Sequence, residues 1–411
     1  MTSPAIEMTS MHDSEIFLAR QPIFNRCLQV VGYELLYRSD SGDAANVSDG
    51  NQATAQLIIN AFLEIGLENL IGNRLAFINM TRDYLLGEIK LPFENTNLVL
   101  EVLEDVRVDD DCIAGIKALA GRGFKIALDD FMLTEENRQL LPLASIVKVD
   151  ILAMDEALLR HQVSVLAQYP VKLLAEKVES DAEFQLCKEL GFEFFQGYFF
   201  AKPRIVSGRQ IPANQLTVLQ IIARLQSPDC DLMHLEQIIS QDVGISHKLL
   251  RIINSSFYGM SSKVDSIQRA MMVLGIRALK NWIMVISLSM LSTKTVELLN
   301  ISLIRARMCE GLAVWVQCKS ESAFAMGLFS LLDALMDQPL PELLARLPLS
   351  SEITEALLGR TGALGGLLQA VTAYEKGQWE TLENATIPQQ SLQPAYVEAV
   401  KWSNDIVAQL G

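Results

Sequence analysis

Carboxylates stand at the ends of several short apolar runs in the first half of this 411-residue chain. The stretch Lys125–Phe131 reads Lys-Ile-Ala-Leu-Asp-Asp-Phe, an apolar run closed by Asp129 and Asp130. Such a run reads as a buried parallel strand. Adjacent side chains on a regular strand point to opposite faces, so both aspartates serve one site only where the strand ends and the backbone bends. An Asp-Asp pair standing alone is more often a helix cap or a turn. What changes that reading is that other runs end in the same way.

In Gly32–Arg38, alternation puts Glu34, Leu36 and Arg38 on one face. A carboxylate, an apolar platform and a guanidinium able to grip a phosphate through paired hydrogen bonds then line up. Phe77-Ile78-Asn79 ends a run with an amide, and Leu100–Glu104 carries Glu101 and Glu104. Lys148 interrupts the apolar run Val147–Asp150, Glu176 and Glu179 close Leu174–Glu179, and Gln196 stands beside Gly197. Charges inside apolar strands are costly unless paired or metal-bound. One such residue reads as a structural ion pair; so many together read as a site. Glu34, Asn79, Glu101, Asp129 and Asp130 form an all-oxygen set suited to Mg²⁺ or Mn²⁺ rather than zinc. Two such ions can clamp a phosphodiester and activate a water between them. Lys148 would then balance developing charge, and Glu176 would accept the water's proton.

The elements that must position these residues alternate along 15–200. The expected strands are Ile16–Ile23, Val30–Arg38, Leu75–Met80, Leu98–Glu104, Lys125–Asp130, Ile146–Ile151, Lys172–Val178 and Phe194–Phe200. Helical stretches fall between most of them: Gln52–Ile65, Asp111–Gly121, Asp155–Gln168 and Asp181–Leu190, several with an Asp at the cap. Alternating βα units imply a parallel sheet. Eight strands in this length imply a (β/α)8-type barrel, in which chemistry sits at the C-terminal strand ends.

Composition narrows the function classes. The net charge of −15 excludes a sequence-independent grip on nucleic acid and an anionic membrane surface. An acidic protein can still hold an anionic ligand through local arginines or bound cations. The six cysteines show no Cys-x-x-Cys pair and read as buried thiols in a reducing, cytoplasmic compartment. The four histidines do not cluster, which argues against a histidine metal centre. The N-terminal residues 1–14 are polar and read as disordered, without an apolar signal core. Trp282–Leu291, the most apolar stretch, is too short to span a bilayer and reads as a buried helix.

At these residues the segment 15–203 resembles the EAL-domain family of cyclic di-GMP phosphodiesterases. Glu34-Leu35-Leu36-Tyr37-Arg38 stands where the family has Glu-Ala-Leu-x-Arg. Phe77–Thr81 resembles its Asn-x-Ser motif, and Glu101 and Glu104 its paired glutamates. Asp129-Asp130-Phe131, Lys148-x-Asp150, Glu176-Lys177-Val178-Glu179 and Gln196-Gly197-Tyr198 resemble Asp-Asp-Phe, Lys-x-Asp, Glu-Gly-Val-Glu and Gln-Gly-Tyr. The resemblance implies that Glu34, Asn79, Glu101, Asp129 and Asp130 bind the metals and that Glu176 is the general base, assisted by Lys148. It implies that Leu36, Arg38, Glu104, Glu179 and Gln196 hold the dinucleotide, and that the product is linear pGpG. Two departures bear on activity. The family's Gly-Thr/Ser-Gly loop after Asp-Asp-Phe, which shapes the metal site and the family's homodimer, is replaced by Met132-Leu133-Thr134-Glu135-Glu136. Lys177 stands where the family has glycine beside the base. Without glycines the loop backbone cannot make the same turns, and loose positioning alone removes much of a rate.

A linker, 204–215, holds Gly208 and Pro212, and from 216 to 411 the pattern is helical. The helical stretches include Leu216–Leu225, Leu232–Ser240, Ile245–Asn254, Ile267–Leu274 and Ile276–Leu291, with Ser266 as a cap and Gly275 as a stop. Ile238–Asp242, Leu249–Arg251, Asn254–Gly259 and Ser266–Ala270 resemble the HDOD domain. That domain is related to HD-type phosphohydrolases without their metal residues, and this half holds no His-Asp pair. Asn254 and Ser255 read as a cap joining two helices; Met271, Leu274, Ile283, Trp282 and Trp315 read as core. The two-domain order resembles the YuxH-like EAL–HDOD signalling proteins of bacteria. The altered loop and Lys177 favour a cyclic di-GMP receptor or scaffold whose HDOD half binds a protein target in motility or biofilm control. The alternative is an active Mg²⁺- or Mn²⁺-dependent phosphodiesterase regulated by the HDOD half.

Overall fold

The structure is a computed structural model. It describes residues 16–39, 54, 66–89, 91, 97–201, 213–226, 230–254, 263–290, 296–382 and 385–410. The expected helix Gln52–Ile65, almost all of it, lies outside the described residues, as do the N-terminal segment 1–14 and Ser255.

Eight strands close a barrel in sequence order. They are β1 Ile16–Asn25, β2 Val30–Ser39, β3 Leu75–Met80, β4 Leu98–Val102, β5 Lys125–Leu128, β6 Ile146–Asp150, β7 Lys172–Glu176 and β8 Phe194–Gln196. From β2 to β8 neighbouring strands are parallel. β1 corrects the all-parallel expectation, because it runs antiparallel to both β2 and β8. The cause is the length of its connection. Only Arg26–Gln29 separates β1 from β2, and a parallel crossover needs a dozen residues or more. Asn25 shapes the tight turn, its side-chain oxygen accepting from the backbone of Cys27 at 2.9 Å and Gln29 at 3.0 Å.

Strand alternation stacks two kinds of layer inside the barrel. Ile23, Phe77, Val99, Ala127, Ile146 and Leu174 form an apolar plug. Two residues further along β3, β4, β6 and β7, the same inward face presents Asn79, Glu101, Lys148 and Glu176, and Asp129 follows the last residue of β5. On β2 the inward face runs Gly32, Glu34, Leu36. A side chain at Gly32 would sit 2.9 Å from the Phe77 ring, so the glycine is what lets the plug fill. Outside the barrel, helices Asp110–Gly121 and Glu156–Leu166 are capped by Asp109 and Asp155. Helix Asp181–Leu190 is capped by Ser180 through a capping box, rather than by an aspartate.

The second half is helical. Its first helix, Ala213–Gln226, begins inside the segment read as a linker. Helix Ile267–Ser289 is long and apolar enough to cross a membrane by length and composition, but Gly275, at φ 72°, divides it. Trp282–Leu288 of its second piece pack inside the helical half, as expected for a core helix. Asn254 joins two helices as expected, donating to Leu250 and Val264 carbonyls and accepting from the Val264 N–H at 2.7 Å. Two expectations are corrected. Trp315 is 47% exposed because it lies within the short 3-10 turn Ala313–Val316 on the surface, and Cys27 is exposed on the hairpin turn.

The halves meet on β1. β8 reaches only Gln196, so the upper part of β1 has no strand beside it on that edge. Two tyrosines from the helical half fill the gap. The Tyr374 hydroxyl accepts from the Leu18 N–H at 3.2 Å and donates to its carbonyl at 3.0 Å, and the Tyr396 hydroxyl accepts from the Arg20 N–H at 3.2 Å. Tyr33 of β2 donates to buried Glu297 at 3.0 Å. A cavity of about 20 Å³ remains along this seam, walled by Gln21, Gly197, Tyr198, Ile301 and Tyr396 among others. That is room for one water.

Candidate functional site

Lys148 is the hub of the polar layer. Its side chain is 1% exposed, and its Nζ lies 2.6 Å from Asp129, 2.8 Å from Glu101, 3.1 Å from Glu176 and 3.4 Å from Glu34. Four strands deliver those carboxylates, each from the end that follows the apolar plug. Burial alone would push the ammonium towards neutrality, but the surrounding carboxylates outweigh it and hold Lys148 charged, well above the usual lysine range.

One ammonium does not balance this much acid. Burial, partly opposed by Lys148, pushes Glu101 well above the ordinary carboxylate range. The same balance raises Glu176 to about 8. Glu101 Oε1, 2.8 Å from the ammonium, is ion-paired to it without a hydrogen bond. Buried oxygens without a hydrogen-bond partner also include Asn79 Oδ1, Glu101 Oε2, Asp130 Oδ1 and Glu176 Oε2. Such orphaned acceptors are rare in folded proteins. Hard oxygen donors carrying excess negative charge fit a hard divalent cation. Among the described residues, no group of three or more acidic, histidine or cysteine side chains is already arranged to hold a metal ion.

Gln196 holds the Glu34 carboxylate in place. Its Nε2 donates to Glu34 Oε2 at 2.6 Å and to Gln21 Oε1 at 3.0 Å. Gln21 was not singled out from sequence; its signal is an amide inside the apolar strand β1, directly opposite Glu34. Gly197, at φ 146°, follows. A Cβ there would fall 2.0 Å from the Val178 carbonyl, so only glycine lets β8's exit pack on the residues after Glu176.

The paired aspartates part company. β5 ends at Leu128 and Asp130 takes a left-handed conformation at φ 38°, the bend that an Asp-Asp site requires. Asp129 turns to Lys148, while Asp130 turns to Lys177, whose Nζ is 3.8 Å away. Lys177 itself adopts φ 55° and binds Asp150 at 2.5 Å. The hydrogen bond to Asp150 is the main cause that raises the Lys177 ammonium above its usual range. The position where the EAL pattern has glycine is thus a left-handed one, and here a lysine fills it.

Glu104, Glu179 and Leu36, also expected at the site, lie outside the hub. Glu104 is exposed, because β4 ends at Val102 and the chain turns away before reaching it. Glu179 is also exposed, with its N–H donating to Glu183. Leu36 is half-buried at the upper end of β2. Arg38 pairs in register with Phe17 near the end of β2, and its side chain lies outside the described residues.

The EAL domain family model matches residues 80–203, and the HDOD domain model matches 211–347. The Bacillus subtilis protein YuxH is 34% identical over 404 residues, covering 95% of this chain and 99% of its own. The Vibrio cholerae protein named cyclic di-GMP phosphodiesterase CdgJ is 34% identical over 400 residues, covering 95% of this chain and 93% of its own. Among solved structures, a standalone EAL protein from Vibrio cholerae in its c-di-GMP bound form is 26% identical, with a TM-score of 0.36, covering 47% of this chain and 93% of that one. Barrel, helical half and full-length relatives agree, and the chain belongs to the family of EAL–HDOD proteins that includes YuxH and CdgJ.

Proposed function

We propose that the barrel binds cyclic di-GMP and hydrolyses one of its two phosphodiester bonds, giving linear pGpG, with the helical half as regulator and protein-binding partner. The observation that carries this reading is the gathering of Glu34, Glu101, Asp129 and Glu176 around Lys148, with orphaned oxygens beside them. The full-length relative CdgJ, named for this activity, supports it.

Glu34, Asn79, Glu101, Asp129 and Asp130 would hold Mg²⁺ or Mn²⁺. Bound there, such ions supply charge to the phosphoryl oxygens and acidify a water. Glu176 stands beside the hub with one oxygen free and, in its ionised form, takes the attacking water's proton as the new P–O bond forms and the bond to the 3′ oxygen breaks, the 3′ oxygen leaving with a proton from solvent. Lys148 keeps its charge and balances the negative charge that develops. Gln196 fixes the Glu34 carboxylate in orientation.

A second reading is a receptor that binds without turnover. Lys177 favours it, because its ammonium already leans on Asp130; so does the Met132–Glu136 loop, which lacks the family's glycines. Calorimetric titration of cyclic di-GMP in Ca²⁺, then in Mg²⁺ or Mn²⁺, followed by chromatography of the nucleotide, separates the two. Conversion to pGpG that Glu34→Ala and Glu176→Ala abolish supports the hydrolase. Binding without conversion supports the receptor. No binding in any ion sinks both.

A further inference from the structure

We infer that the helical half builds one wall of the nucleotide site, through the turn Glu375–Trp379, with Lys376 contacting the anionic dinucleotide. This rests on the functional reading above.

Three contacts place the turn at the barrel mouth, over the β1 seam. On the β8 side, the Tyr198 hydroxyl donates to Glu375 at 3.3 Å and the Lys376 ammonium lies 4.5 Å from the Tyr198 ring centroid. On the β2 side, Gly377 backs onto Leu36, where an added Cβ would come 3.1 Å from Leu36 Cδ1. Leu36 lies one inward step above Glu34, and Tyr198 lies two residues beyond Gln196, so the turn spans the rim between two strands that feed the hub. Gly377 makes this approach at φ 67°.

The turn is anchored from behind. Glu375 takes two hydrogen bonds from Arg305, at 2.6 and 2.9 Å, and Arg305 also donates to Ser330 at 3.1 Å. Both members of that pair are at least nine-tenths buried. A rigid base therefore holds an exposed cation at the mouth. Charge gives the cation a role. The polar layer carries more carboxylates than Lys148 can balance, and a ligand with two phosphates must be drawn into it by other cations. Lys376 is a point charge suited to a phosphate oxygen.

The test is cyclic di-GMP affinity, measured by calorimetry in Ca²⁺, for the full chain and for Lys376→Ala, Lys376→Glu and the surface control Lys401→Ala. Lys376→Ala is expected to weaken binding about tenfold, the loss of one charge-assisted contact, and Lys376→Glu to weaken it further. Lys401→Ala is expected to leave it unchanged. Amide exchange should slow across 374–379 when the nucleotide binds. Unaltered affinity in both Lys376 variants, with the unsubstituted chain binding, would overturn this inference and leave the functional reading standing. No binding by the unsubstituted chain would overturn both.

Discussion

Replacing Lys148 with methionine tests the electrostatic design of the hub. The substitution keeps the length of the side chain and deletes the ammonium, leaving Glu34, Glu101, Asp129 and Glu176 facing one another, all within 3.4 Å of the vacated charge. Removing one partner of a buried ionic cluster costs about 3–5 kcal/mol. A domain of this size loses about 2–4 °C of melting temperature per kcal/mol, so Lys148→Met should melt about 6–20 °C lower in chelator. The deficit should shrink on acidification, because protons can replace the lost cation. It should also shrink in divalent ion. Mn²⁺ at a hundredfold over its Kd adds about 2.7 kcal/mol, and the variant should gain more from it than the unsubstituted chain does. The assay is a thermal melt of both proteins in EDTA and in Mn²⁺. A variant that melts within about 2 °C of the unsubstituted chain in EDTA, and gains nothing extra from Mn²⁺, would show that the four carboxylates are not held together by this lysine.

Glu176 gives a pH dependence whose sign is fixed. Its folded-state carboxyl is pushed up to about 8, so between the ordinary carboxylate range and pH 8 the folded chain keeps a proton that the unfolded chain has lost. Stability in chelator should therefore fall as pH rises through that window; Glu176→Gln should flatten the slope in urea titrations, and an unaltered slope would remove Glu176 as its source. Lys177→Gly should relieve the left-handed strain at that position, about 1–2 kcal/mol, and release Asp130 and Asp150. Mn²⁺ binding measured by calorimetry should tighten, and unaltered affinity would show that Lys177 does not compete for Asp130. Glu375→Gln breaks a doubly bonded buried pair and should lower stability by about 3–5 kcal/mol in denaturant titration; a loss under about 1 kcal/mol would mean that the Arg305 guanidinium finds another partner.

All eight strands could be read from the sequence because a barrel strand is buried on both faces and appears as an apolar run. The polar residues in and after those runs pointed to one layer, and Lys148, Glu34, Glu101, Asp129 and Glu176 do converge. The direction of β1 was also written there, in the short link Arg26–Gln29, but apolar patterning carries no information on strand direction. β4 stops at Val102, short of the expected Glu104, because alternation does not say where a strand stops. The Lys177 contacts with Asp130 and Asp150 depend on two left-handed residues, Asp130 and Lys177, that no periodicity marks. Gln21, Tyr374 and Glu375 meet their partners across large separations in sequence, where no local pattern reaches.

The tyrosines that finish the β1 edge tie the two halves into one act of folding. Leu18 of β1 leaves the ribosome 356 residues ahead of Tyr374, and Arg20 leaves it 376 residues ahead of Tyr396, the two residues that satisfy its open backbone groups. Until they arrive, the nascent barrel carries a bare strand edge of the kind that recruits other chains. A fragment ending after β8 would keep that edge permanently. It would therefore be a poor proxy for the barrel in the full chain, and loss of activity on truncation would report an unsealed seam as readily as a missing regulator.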